Sequence, residues 1–235
     1  MGKRKIAIIG ANGFVGECLY KEVERRQDLE AIKIVRGDDI ATMLLEAEII
    51  VHSANPAKRF RAESNPTIDF TETVQKTFDI LSLCKDKKLV LISSLSARTQ
   101  LNTNYGRHRK ACEILVDNGE NLIVRLGPMY GSNRKQDTLH DILNGNKVFL
   151  SSNTRYAYVD VAYAAKKVID LLDNSGIFEI GAKNGIQLEY IKNVVGSQSQ
   201  FEGYDDTQIP VNPPFDAPMA EDVLTFCETE RHNFH

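Results

Sequence analysis

Apolar residues are distributed along this chain in two ways. Short, nearly continuous runs read as strands buried on both faces: "KIAIIG" (5–10), "AIKIVRG" (31–37), "IIVHSA" (49–54), "KLVLISS" (88–94) and "NLIVRLG" (121–127). Between them lie longer stretches in which apolar positions recur at helical spacing. These are "GFVGECLYKEVERRQ" (13–27), "DIATMLLEAE" (39–48), "NPTIDFTETVQKTFDILSLCKDK" (65–87) and "YGRHRKACEILVDNG" (105–119). Pro66 stands near the start of the third stretch, and Gly119 closes the fourth with a residue that favours a helix stop. Strand and helix therefore alternate as βαβαβαβαβ. The pattern predicts a Rossmann-type, doubly wound α/β fold, a parallel sheet with helices on each side.

After about residue 130 the alternation loosens. "RYAYVDVAYAAKKVIDLLDN" (155–174) predicts a turn and a helix, and "GIFEIGA" (176–182) one more strand. "YDDTQIPVNPPFDAP" (204–218) holds four of the seven prolines and reads as loop. The expected division is a main domain over 1–150 and a small, partly interleaved part over 151–235.

Composition adds exclusions. A net charge of −3 points away from nucleic acid as a partner, and the basic clusters Lys58/Arg59/Arg61 and Lys85/Lys87/Lys88 are short. The first cluster follows a strand that could border a site; the second reads as solvated surface. Cys18, Cys84, Cys112 and Cys227 are scattered, as reduced thiols of a cytoplasmic protein would be. The terminal His232 and His235 read as a tail and not as a metal site, and no metal is expected. No stretch is long and apolar enough for a membrane span.

The chemistry begins where the first strand runs into "GANGFVG", residues 10 to 16. Gly10 permits the tight turn off the strand, Gly13 lets backbone approach a pyrophosphate, and Gly16 allows close helix–sheet packing. The helix that follows offers unpaired amides and a dipole worth about 0.3–2 kcal/mol. Gly10, Asn12, Gly13, Phe14, Val15 and Gly16 are accordingly the candidate dinucleotide loop. At the end of the second strand, "IVRGDD" sets Arg36, suited to the extra phosphate of NADP, beside Asp38 and Asp39, suited to a ribose hydroxyl of NAD. The reading leans to NADP and leaves NAD open.

Taken together, the motifs resemble the extended short-chain dehydrogenase/reductases, the branch of nucleotide-sugar epimerases, dehydratases and 4-ketoreductases. "IAIIGANGFVG", "GDDI", "EIIVHSAN", "VLISS", "NYGRHRKACEILV", "LIVRLGPMYG" and "RYAYVDVAYAAKKVID" occur in the family's order over about the first 180 residues. The resemblance implies an NAD(P)-dependent oxidoreductase acting on a nucleotide-linked sugar, with reduction of a 4-keto sugar preferred. Ser94 would be the catalytic hydroxyl and Tyr105 the acid/base. Asp39 and Ile40 would flank the adenine, Ser53, Ala54 and Asn55 would line the cofactor cleft, and Gly127, Pro128 and Met129 would lie near the nicotinamide. It also implies a homodimer, formed through the helices at about 66–86 and 105–118.

The departures from the family pattern are specific. Ile9 replaces the usual Thr or Ser, and Thr73 stands where Asn is common. Ser94 and Tyr105 are only 11 positions apart, a strand is missing after the second one, and the C-terminal part is short. Leu95 and Ser96 replace the Asp-Glu pair of a 4,6-dehydratase, which argues against dehydration. Arg109 occupies the catalytic lysine position, with Lys110 one place late. A residue four places on lies about 40° around a helix from Tyr105 and one five places on about 140° away, so Arg109 is the replacement. Always protonated, it can stabilise a tyrosinate, although its planar fork does not match an ammonium. Otherwise Arg109 would be an exposed helix charge supported by Glu113. Three alternatives stand beside the reductase: an epimerase, a reductase of non-sugar substrates, and an NADP(H)-binding regulator that has lost turnover.

Overall fold

The computed structural model describes residues 2–134 and 136–233, so the H-x-x-H ending, which needs His235, lies outside the described residues. The elements follow in chain order: β1 (Arg4–Ile9), α1 (Phe14–Arg25), β2 (Leu29–Ile34), α2 (Ile40–Leu44), β3 (Ile49–His52), α3 (Arg59–Ser64) and α4 (Pro66–Phe70). A π-helical turn (Thr71–Gln75) leads into α5 (Lys76–Cys84), then β4 (Lys88–Ser94), α6 (Ser96–Thr99), α7 (Asn104–Val116) and β5 (Leu122–Leu126). Beyond these come β6 (Met129–Tyr130), α8 (Thr138–Leu143), β7 (Val148–Leu150), β8 (Arg155–Tyr156), β9 (Val159–Asp160) and α9 (Val161–Asp170). The last are β10 (Gly176–Ile180), β11 (Ile186–Gln187), α10 (Leu188–Val194), β12 (Phe201–Tyr204) and α11 (Val223–Asn233).

Six strands form one parallel sheet in the order β10-β5-β4-β3-β1-β2. β1 pairs with β2 on one side (Ile6 opposite Ala31) and with β3 on the other (Ile6 opposite Ile49). Chain order therefore reverses direction between β1 and β3, and only β2 lies beyond β1, in accord with the strand missing from the sequence. A reversal of this kind opens a crevice at the carboxyl ends of the strands, where α/β folds bind ligands. β3 and β5 are buried along their whole length, which explains their unbroken apolar runs. The core between sheet and helices gathers Ile9, Ile34, Leu44, Ile50, Leu89, Leu91, Cys112 and Ile123.

The stretch read as one helix over 65–87 is interrupted by the π turn. α3 and α6 are additional short helices that periodicity did not reveal, because each is too brief to complete two turns.

The chain divides into two compact units, residues 1–125 with 165–178, and residues 126–164 with 179–235. Residue 150, where the sequence suggested a boundary, lies inside the second unit. That unit has paired two-stranded ladders, β6 with β9, β7 with β12 and β8 with β11. Its interior holds a polar cluster in which the Tyr156 hydroxyl donates to Asp206 at 2.5 Å and the amide of Asp206 donates to Thr154 at 3.1 Å.

Candidate functional site

In the first unit the glycine loop is shaped for close approach. Gly10 has φ +88°, and a Cβ there would lie 2.8 Å from the Ala54 backbone. A Cβ on Gly16 would lie 2.1 Å from the Gly10 carbonyl oxygen, so α1 is seated against the loop as no larger residue allows. The Ser53 hydroxyl donates to the Ile9 carbonyl at 2.8 Å and ties the loop after β3 to the end of β1. Gly13 precedes α1 and has no side chain to cap it, and a helix N-terminus is the end that favours an anion. Asn12 is exposed, and Phe14 and Val15 are half-buried.

The three charges after β2 differ in what they already do. Asp38 accepts from the Val35 amide at 2.8 Å. Asp39 caps α2, accepting from the Thr42 hydroxyl at 2.6 Å and its amide at 3.3 Å; these bonds hold its carboxyl below the usual range. Arg36 is exposed and makes no hydrogen bond or ion pair among the described residues. Ile40 opens α2 and packs against the core.

Under the loop after β3 lies a polar network. Ala54 N–H reaches His52 Nδ1 at 3.4 Å, which places the imidazole proton on Nε2, 3.2 Å from the Thr77 hydroxyl. Thr77 donates onward to the Thr73 carbonyl at 2.7 Å. His52 is fully buried, and its pKa is lowered from 6.5 to about 3, first by burial and then by the charges of Arg109 and Lys76. It is a neutral spacer beneath two cations. Asn55 Oδ1 and Thr73 Oγ1 are buried without partners.

α7 carries the acid/base candidate, and its N-terminus is fixed twice. The Thr103 hydroxyl accepts from the Gly106 amide at 3.0 Å, while Glu63 of α3 accepts from the Asn104 amide at 2.7 Å and the Tyr105 amide at 3.3 Å. Gly106 is required here, since a Cβ would meet the Gln100 carbonyl at 2.1 Å. Tyr105 is 6% exposed, and its hydroxyl makes no hydrogen bond among the described residues. Arg109 is no surface charge: it is 4% exposed, with its guanidinium 5.0 Å from the centre of the Tyr105 ring. One nitrogen donates to the Pro56 carbonyl at 2.5 Å, Nε is buried without a partner, and no carboxylate pairs with it.

Glu113, four residues on, does not support Arg109. It receives Arg125 at 2.8 and 2.7 Å and Ser93 at 2.7 Å, and Lys110 reaches it at 3.4 Å. Lys110 thus turns away from Tyr105, as helix geometry requires. Ser94, at the end of β4, accepts from the Ser96 amide at 3.2 Å, and its own hydroxyl proton has no acceptor among the described residues.

Gly127, Pro128 and Met129 belong to the second unit. There Gly127 donates to the Ile180 carbonyl at 2.8 Å, Pro128 accepts from Val159 at 3.1 Å, and Met129 pairs with Val159 in the β6–β9 ladder. Sequence reasoning missed Glu63, His52 and Lys76, whose Nζ lies 3.4 Å from the Ala54 carbonyl. Only the buried histidine in an apolar strand could have drawn notice. Among the described residues no cluster of His, Cys, Asp or Glu could hold a metal ion, and no helix is long and apolar enough to cross a membrane.

No protein-family profile and no curated protein matches this sequence. Solved structures do match, at full length and low identity. One is an NAD-dependent NDP-hexosamine 5,6-dehydratase, TunA, of tunicamycin biosynthesis, with TM-score 0.82, 13% identity and 99% of each chain covered. Another is a dTDP-4-dehydrorhamnose reductase from Bacillus anthracis in complex with NADP, with TM-score 0.77, 17% identity and 97% of this chain and 99% of the other covered. A third is a UDP-N-acetylglucosamine 4-epimerase from Methanobrevibacter ruminantium, with TM-score 0.73, 14% identity and 100% and 99% covered. The chain therefore has the Rossmann-type fold found in these nucleotide-sugar enzymes.

Proposed function

We propose that this protein is an extended short-chain dehydrogenase/reductase, an NAD(P)-dependent oxidoreductase acting on a nucleotide-linked sugar, and that it reduces a 4-keto sugar. One observation carries the reading. Arg109 is a buried guanidinium with no carboxylate partner, set against a tyrosine whose hydroxyl is also unpaired. An unanswered buried charge costs several kcal/mol, and a site that forms tyrosinate beside a ligand gives that charge its use. The glycine loop and the N-terminus of α1 that follows it fit a dinucleotide pyrophosphate.

When bound, the reduced nicotinamide supplies the hydride. Tyr105 would give its phenolic proton to the carbonyl oxygen, which stays on the sugar as the new hydroxyl, and Arg109 would face the resulting phenolate. Ser94 would direct a hydrogen bond from its hydroxyl to the same oxygen and orient it. Leu95 and Ser96, in place of an acidic pair, support reduction over 4,6-dehydration. The alternative, a cofactor-binding regulator, rests on arginine standing where the family has lysine.

The protein is further proposed to act as a cytoplasmic homodimer. Ile68, Phe70, Phe78, Ile114 and Leu115, on α4, α5 and α7, are 37–66% exposed and offer an apolar face, and all four cysteines are free thiols. The test is NADPH oxidation with a panel of nucleotide 4-keto sugars. Turnover should fall by a factor of about 10²–10⁴ in Tyr105→Phe while NADPH still binds. Tight NADPH binding with no turnover on any substrate would favour the regulator.

A further inference from the structure

A second cation without a carboxylate partner among the described residues lies beside the loop after β3. Lys76 opens α5 directly after the π turn, a feature that recurs at functional sites. The side chain is half-buried, and among the described residues its only hydrogen bond is the long one to the Ala54 carbonyl. Ala54 is the residue against which Gly10 packs, so the ammonium stands beside the glycine loop at the carboxyl ends of β1 and β3. Glu72, one turn back and the natural pair for Lys76, is bonded instead to Arg61 at 3.3 Å. Gly10 also donates to the Ile34 carbonyl at 2.9 Å, which brings the end of β2, with Arg36 two residues beyond it, to the same loop; burial lowers the Lys76 pKa, Glu72 opposes this, and Arg36 adds to the lowering.

The anions that would read a ribose hydroxyl are spent in their own turn, Asp38 on Val35 and Asp39 on Thr42. The end of the crevice beyond β1 therefore presents two cations without a carboxylate partner among the described residues, and no free carboxylate from the β2 turn. We infer that Lys76 and Arg36 together form the site for the 2′-phosphate of NADP(H), and that Lys76 selects this cofactor over NAD(H). The inference rests on the dinucleotide reading above and assigns a residue that the sequence motifs did not include.

Calorimetric titration with 2′,5′-ADP and 5′-ADP, alongside NADPH and NADH, separates the phosphate from the rest of the cofactor. The native protein should hold 2′,5′-ADP at least about tenfold tighter than 5′-ADP, as one charge-assisted contact provides. Lys76→Gln and Arg36→Gln should each remove most of that ratio and leave 5′-ADP affinity within about twofold, while Lys76→Arg should keep it. Melting curves confirm that each variant is folded. Equal weakening of both probes by Lys76→Gln would place the ammonium on the pyrophosphate and overturn the inference, as would no change in either. Native protein that binds none of the four would sink the dinucleotide reading itself.

Discussion

Arg125 and Arg109 both belong to the first unit and are 8% and 4% exposed. Arg125 gives two nitrogens to Glu113, a carboxylate that Ser93 also satisfies. Arg109 has a single carbonyl and the face of Tyr105. Glu113 is four residues from Arg109 and on its face of α7, yet it is committed elsewhere. A buried charge with a full set of partners holds a structure together. One left without them is stability given up where something else must act.

The comparison can be broken most directly at Glu113. Glu113→Gln strands Arg125 and should lower stability by about 3–5 kcal/mol in urea unfolding. A loss under about 1 kcal/mol would mean that the pair is no structural anchor.

Acid unfolding sharpens it next. The unfolded chain binds a proton at His52 near pH 6.5, which the folded chain refuses until about pH 3. Stability from this group is complete above pH 6.5 and is lost, on the order of a few kcal/mol, as pH falls toward 3. Arg109→Met removes one source of that refusal and should shrink the acid loss, with burial still the larger cause.

The smallest effect is expected at the cap of α7. Thr103→Ala should cost about 1 kcal/mol and leave NADPH affinity intact, since Glu63 still holds the Asn104 and Tyr105 amides. A loss of NADPH binding instead would tie the cap to the cofactor site.

Much of this architecture was legible in the sequence because its signals are local. Five apolar runs, with "GIFEIGA" farther along, marked the six strands of the sheet, and three glycines between a strand and a helix marked the loop. The four-residue step from Tyr105 to Arg109 placed both on one face. What escaped depends on partners distant in sequence. Glu63 reaches α7 from 41 residues away, and Arg109 is answered by Pro56, 53 residues away. Likewise, no periodicity announces that Glu113 serves Arg125 and not Arg109, or that a π turn breaks the helix before Lys76. The expected support of Arg109 by Glu113 followed from spacing alone, and tertiary packing overrode it.

The most direct measurement is a pair of melting curves, native protein and Arg109→Met, each with and without NADPH. The account predicts that the unliganded variant melts within a few degrees of the native protein or higher, because no charged partner is left stranded and only the Pro56 carbonyl loses a donor, and that NADPH raises its melting temperature less. A variant that melts far lower, yet gains as much from NADPH as the native protein, would make Arg109 a structural residue and contradict the account.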